Sequence, residues 1–100
     1  MNKNELVIST AEFINEKVRE NLSHTYGVEP TFIVDVNKFL EDLIEAECIL
    51  NEQGREKMFI SVMDEIEIGN APIESDGYKI TDISKYDGEI TFTKEDEMED

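Results

Sequence analysis

Apolar residues recur through the first quarter of the chain at helical spacing. In NELVISTAEFINEKVRENLSHTYG, Val7, Ala11, Ile14, Val18 and Leu22 lie four, three, four and four residues apart, one stripe of an amphipathic helix from Asn4 to about Thr25. Ser9 and Glu12 also have the spacing of a capping box, which would start the helix later. Gly27 stops it, and Arg19 and His24 fall near a C-terminus that favours positive charge, so His24 reads as a surface residue rather than a base or ligand. After Pro30, TFIVDV suits either a short strand or the first turn of the next helix.

From Asn37 the helical pattern is plain. Phe39, Leu40, Leu43, Ala46 and Leu50 line one side, Cys48 and Ile49 widen it, and Gly54 follows the predicted end. From Lys57 the period changes to two: in KMFISVMDEIEIG, Met58, Ile60, Val62, Ile66 and Ile68 alternate as in a strand, with a bend or bulge at Asp64. Gly69, Pro72 and Gly77 mark a loop. YKITDI and EITFT then read as two strands joined by a turn at Asp87-Gly88, where glycine supplies the positive backbone angle of a tight hairpin.

The DGEITF segment also resembles half of a calcium-binding loop, and register decides against that. With Gly88 at the sixth position, Ile83, Lys85 and Lys94 occupy positions that need oxygen ligands. These elements predict an α+β class: two N-terminal helices packed on a three- or four-stranded antiparallel sheet, four if TFIVDV joins it. Residues 1–94 form the expected single domain, and 95–100 an acidic, frayed tail.

Charge changes the picture more than composition does. Twenty-five acids against nine bases give −16, where a small soluble domain carries a net charge of about 2–8 in magnitude. Self-repulsion on this scale works against the compact state, so either a salty medium screens it, which the glutamate-, lysine- and isoleucine-rich composition does not favour, or a partner of opposite sign makes use of it. The acids are grouped. No base occurs from Phe39 through Gly54, where Glu41, Glu45 and Glu52 share the polar side of the second helix with Asp42 and Glu47 beside them. Between Phe59 and Tyr78 lie Asp64, Glu65, Glu67, Glu74 and Asp76, again without a base.

No phosphate loop, nucleophile elbow or cofactor fingerprint is present, so neither an enzyme nor a cofactor is expected. Single cysteine and histidine residues, Cys48 and His24, cannot build a disulfide framework or a four-ligand zinc site. Direct nucleic-acid binding needs a basic patch and is not expected. No apolar run is long enough for a membrane span or a signal peptide, which makes the cytoplasm the expected location, with no membrane partner expected.

In length, in the base-free stretches FLEDLIEAECILNEQG and FISVMDEIEIGNAPIESDGY, and in the terminal KEDEMED, the chain resembles the small acidic inhibitors of phages and mobile elements, the anti-restriction and anti-CRISPR proteins. The resemblance implies stoichiometric, non-catalytic inhibition of a basic nucleic-acid-binding protein by a DNA or RNA mimic. Glu41, Asp42, Glu45, Glu52, Asp64, Glu65, Glu67, Glu74 and Asp76 are the expected contacts. An immunity protein against a basic nuclease toxin would use the same electrostatics. A homodimeric or larger scaffold with incidental acidity is the alternative of a different class; it would expose an apolar strip around Phe32, Val34 and Val36 or on the hairpin.

Overall fold

The computed structural model describes residues 1–22, 30–74 and 77–95, and all structural statements refer to these. The order is α1 (Lys3–Leu22), β1 (Thr31–Asp35), α2 (Asn37–Glu47), α3 (Glu52–Glu67), β2 (Tyr78–Ser84) and β3 (Glu89–Lys94). It is an α+β fold with three helices and one three-stranded antiparallel sheet. The helices are not all N-terminal to the sheet, because TFIVD takes the strand alternative and stands between α1 and α2.

The first helix follows its stripe. Val7, Ala11, Ile14 and Val18 are buried, together with Leu6. It begins earlier than a Ser9–Glu12 box would start it, because Asn2 and Glu5 form the box instead. The Glu5 N–H donates to Asn2 Oδ1 at 2.9 Å and the Asn2 N–H to Glu5 Oε1 at 3.3 Å. Gly27 and His24 lie outside the described residues.

The expected single helix from Asn37 to Gly54 is broken. α2 ends where Cys48 turns extended, and Asn51 caps a new helix by accepting the Gly54 N–H at 2.7 Å. Gly54 therefore sits in the first turn of α3 rather than beyond the end of α2. The expected stripe is corrected as well: Leu40 and Ile44 are the buried residues of α2, while Ala46 is exposed.

The predicted strand from Lys57 is a helix. Phe59, Val62, Met63 and Ile66 are its buried residues, spaced three, one and three apart, which is one face of a helix and both faces of a strand. Asp64 is no bulge, and its carbonyl accepts the Ile68 N–H at the helix end. There Gly69, with φ 87°, closes a Schellman turn: the Asn70 N–H reaches the Glu65 carbonyl and the Gly69 N–H reaches that of Ile66.

The hairpin lies where the sequence puts it, with Gly88 at φ 69°. The sheet order is β1-β3-β2, so β3 pairs with both neighbours, Phe92 opposite Phe32 on one side and Ile80 on the other. A register shift between Ile80 and Asp82 accommodates Thr81 as an extra residue in β2. Val34, Ile90, Phe92 and Tyr78 join residues of all three helices in one core. Asn21 on α1 donates to the Tyr78 hydroxyl at 3.0 Å, and Phe32 meets Tyr78 edge-on and stacks on Phe92. Thr31, Thr81 and Thr93 bring their hydroxyls together on the outer face.

The apolar strip expected around Phe32, Val34 and Val36 is not a surface. Val34 and Val36 are buried and Phe32 is partly buried, because alternation turns them inward; Ile33 is the exposed residue. The Lys94 N–H donates to the Pro30 carbonyl and the Val36 N–H to that of Gly88. Even-numbered residues of β1 thus bond to β3, and the backbones of Thr31, Ile33 and Asp35 face the open edge. Of the predicted tail, the Glu95 N–H donates to the Gly77 carbonyl, and residues 96–100 lie outside the described set. No helix among the described residues is long and apolar enough to cross a membrane.

Candidate functional site: an acidic groove between α2 and α3

The short Cys48–Asn51 connection folds α3 back beside α2, and the hairpin turn approaches the same side. Between them runs an open groove of about 770 Å³. Glu41 and Glu45 stand on α2, one turn apart; Glu52, Glu56 and Asp64 stand on α3 with Ile60 completing their four-residue spacing. Ile44 and Phe59 form a buried floor, Ile60 is half-buried, and Tyr86 on the turn is 81% exposed.

The groove carries more negative than positive charge. Arg55 and Lys57 also line it, but Arg55 donates to the Leu50 carbonyl at 2.7 Å and is committed to bracing the α2–α3 connection. Among the described residues, none of Glu41, Glu45, Glu52 and Glu56 takes part in an ion pair. Glu41 and Glu45 repel at i,i+4, as do Glu52 and Glu56, each pair costing about 0.2–0.5 kcal/mol.

The other expected contacts are dispersed, and most have local partners. Asp42 pairs with Lys38 at 3.1 Å, outside the groove. Asp64 borders the groove but accepts from Lys85 at 2.8 Å, and Glu67 lies 3.4 Å from the same ammonium. The hydrogen bond to Asp64, reinforced by both negative charges, raises the Lys85 pKa above its ordinary value. Glu65 accepts from Asn70 at 2.8 Å and from Lys3 at 3.2 Å, and these bonds, Asn70 first, hold its carboxyl below the ordinary range. Glu74 belongs to a loop pinned to α1, where Asn15 accepts its N–H at 2.7 Å and donates to the Pro72 carbonyl. Its carboxylate is 4.0 Å from Arg19. Asp76 lies outside the described residues.

Glu56 and Tyr86 were not among the expected contacts. A helical reading of residues 52–67 would have found Glu56, since Glu52, Glu56, Ile60 and Asp64 keep one face. Only the hairpin's position in space identifies Tyr86. The turn itself is closed by protein groups: the Gly88 N–H donates to the Ser84 carbonyl, and Ser84 Oγ to Asp87 Oδ2 at 2.7 Å. Among the described residues, no cluster of three or more His, Cys, Asp and Glu side chains is placed to hold a metal ion.

Comparison with protein-family models, curated proteins and solved structures finds no match to this chain. The groove combines four carboxylates on two helices that are in no ion pair among the described residues, an apolar floor and one exposed phenol ring.

Proposed function

We propose that the protein is a non-catalytic acidic binding protein that inhibits a nucleic-acid-binding protein by occupying its basic cleft, acting in the cytoplasm like the small inhibitors of phages and mobile elements. The observation that carries this reading is the gathering of Glu41, Glu45, Glu52 and Glu56 around one groove, none of them in an ion pair among the described residues although Arg55 and Lys57 also line it. Such an arrangement costs stability through like-charge repulsion. It offers a concentrated negative potential to a cationic surface, where complementary charge speeds association and selects the partner.

The test is capture of partners from a host lysate at low and high salt, followed by competition and activity assays. The expected partner binds nucleic acid, leaves the complex as salt rises, is displaced by its own nucleic acid and loses activity in stoichiometric complex. Recovery of only the protein's own copies, retained in high salt, would refute the reading.

The open edge of β1 favours a second reading, self-association. Among the described residues no strand pairs with the side of β1 away from β3, towards which Thr31, Ile33 and Asp35 direct their backbone groups, and Ile33 is 58% exposed. An exposed edge of this kind templates pairing with another strand, although a charge of −16 on each copy opposes it. Sedimentation across a range of concentration and salt distinguishes the two: a monomer throughout removes the self-association reading.

A further inference from the structure

The groove is concave and only half polar, which says more about its occupant than charge does. Two acidic helices and Tyr86 of the hairpin turn border a half-open hollow with Ile44 and Phe59 beneath it. Something from the partner must project into that hollow for its apolar wall to leave water. The occupant must carry positive charge, because acids outnumber Arg55 and Lys57 around the groove and none of Glu41, Glu45, Glu52 and Glu56 takes part in an ion pair among the described residues. It must also carry at least one apolar side chain, to meet Ile60.

The spacing of the rim narrows the choice. Glu41 and Glu45, and likewise Glu52 and Glu56, are separated by four residues at 1.5 Å rise each, so the acidic positions repeat at about 6 Å along each helix axis. A helix lying along the groove, with cations one turn apart, matches that repeat. Arginine suits the site better than lysine. Its planar, weakly hydrated guanidinium can fork a carboxylate and stack on an aromatic face, whereas an ammonium keeps its water more strongly. Tyr86, which lines the groove and is 81% exposed, supplies such a face.

We propose that the α2–α3 groove receives an amphipathic, arginine-bearing helix of the partner protein, whose guanidinium groups engage Glu41, Glu45, Glu52 and Glu56 and stack on Tyr86 while an apolar side chain covers Ile60. This rests on the proposed reading that the partner is a basic nucleic-acid-binding protein, and it assigns the contact to a helix at the partner's basic cleft rather than to a flat cationic surface.

The test uses the full chain and short synthetic helical peptides of leucine, alanine and arginine. In the first, arginines are one turn apart with leucines alongside; in the second, lysine replaces every arginine; the third keeps the first composition but scatters its arginines around the helix. Amide shift mapping locates binding and calorimetry measures it near physiological salt. The expected result is shifts centred on Ile60, Tyr86 and the four glutamates, with the arginine peptide about two- to fivefold tighter than the lysine peptide. Tyr86→Ala should abolish that preference and Tyr86→Phe should keep it. Equal affinity for the ordered and scattered peptides, or shifts spread over α1 and the sheet, overturns the groove assignment and leaves a diffusely acidic protein that still binds a basic partner. Failure of every peptide to bind, together with failure to capture a basic protein from lysate, overturns both.

Discussion

Alanine in place of Gly88 should be among the most damaging single-methyl additions in the molecule. The residue has φ 69°, and a Cβ built there would lie 2.9 Å from the Asn37 nitrogen, 3.0 Å from its Cα and 3.0 Å from the Phe59 ring. Left-handed backbone costs an L residue roughly 1–2 kcal/mol. Forcing a methyl against the main chain of α2 adds about 1–3 kcal/mol, because the helix start is held by the Asp35 carboxylate on its first N–H and by the Val36–Gly88 bond. The expected loss is therefore about 2–5 kcal/mol, a large share of the roughly 5–15 kcal/mol that stabilises a domain. Urea unfolding followed by circular dichroism measures it. Gly69→Ala is the internal control: its φ of 87° imposes similar backbone strain, but no atom lies within 4 Å of the added carbon. Equal midpoints for the two variants would show that the close approach of hairpin, α2 and α3 is not what Gly88 serves.

Three further outcomes are expected. Changing Glu41, Glu45 and Glu52 together to glutamine should slow association with a basic partner in stopped-flow measurements and raise stability by about 0.2–0.5 kcal/mol for each repulsive pair relieved; an unchanged association rate would remove the groove from the interface. Glu89 stands directly opposite Asp35 in the β1–β3 register, so Glu89→Lys should stabilise the fold by about 0.2–1 kcal/mol in urea unfolding. Glu65 titrates below its ordinary value in the folded chain, so protons bind the unfolded state first. Its contribution to stability is present above the ordinary value and fades as pH falls through the lowered one. Asn70→Ala should shift its NMR titration upward, and an unmoved titration would exclude the Asn70 bond as the cause.

The elements that were legible in the sequence are those whose pattern admits one period. Val7, Ala11, Ile14 and Val18 fit only a helix, and alternation around Asp87-Gly88 fits only a hairpin. α3 escaped because Val62 and Ile66, four apart, satisfy both a strand and a helix. The discriminating residues are Phe59 and Met63: a strand would turn them away from Val62, yet all three are buried on one side. The break after α2 contains neither glycine nor proline, and Ile49 within it is fully exposed, against the expectation for an isoleucine. Asn51 is the one local signal there, a cap whose partner Gly54 had the look of a helix stop. These two errors had unequal effects on the site. Glu41, Glu45 and Glu52 reach one groove despite the altered helix boundary. Asp64, Glu65 and Glu67 do not form a row, because successive helical positions turn by about 100°, and two of the three end beside Lys85.

The middle strand of the sheet is synthesised after both of its neighbours. β1 and β2 do not touch each other, so a nascent chain that has released all three helices still has no sheet for them to cover. Pairing of Thr31 with Thr93 joins residues separated by most of the polypeptide, and contacts of such range slow folding. Until β3 leaves the ribosome, Phe32, Val34 and Tyr78 lack the strand that completes their burial, so exposure to chaperones and proteases should persist until β3 has emerged.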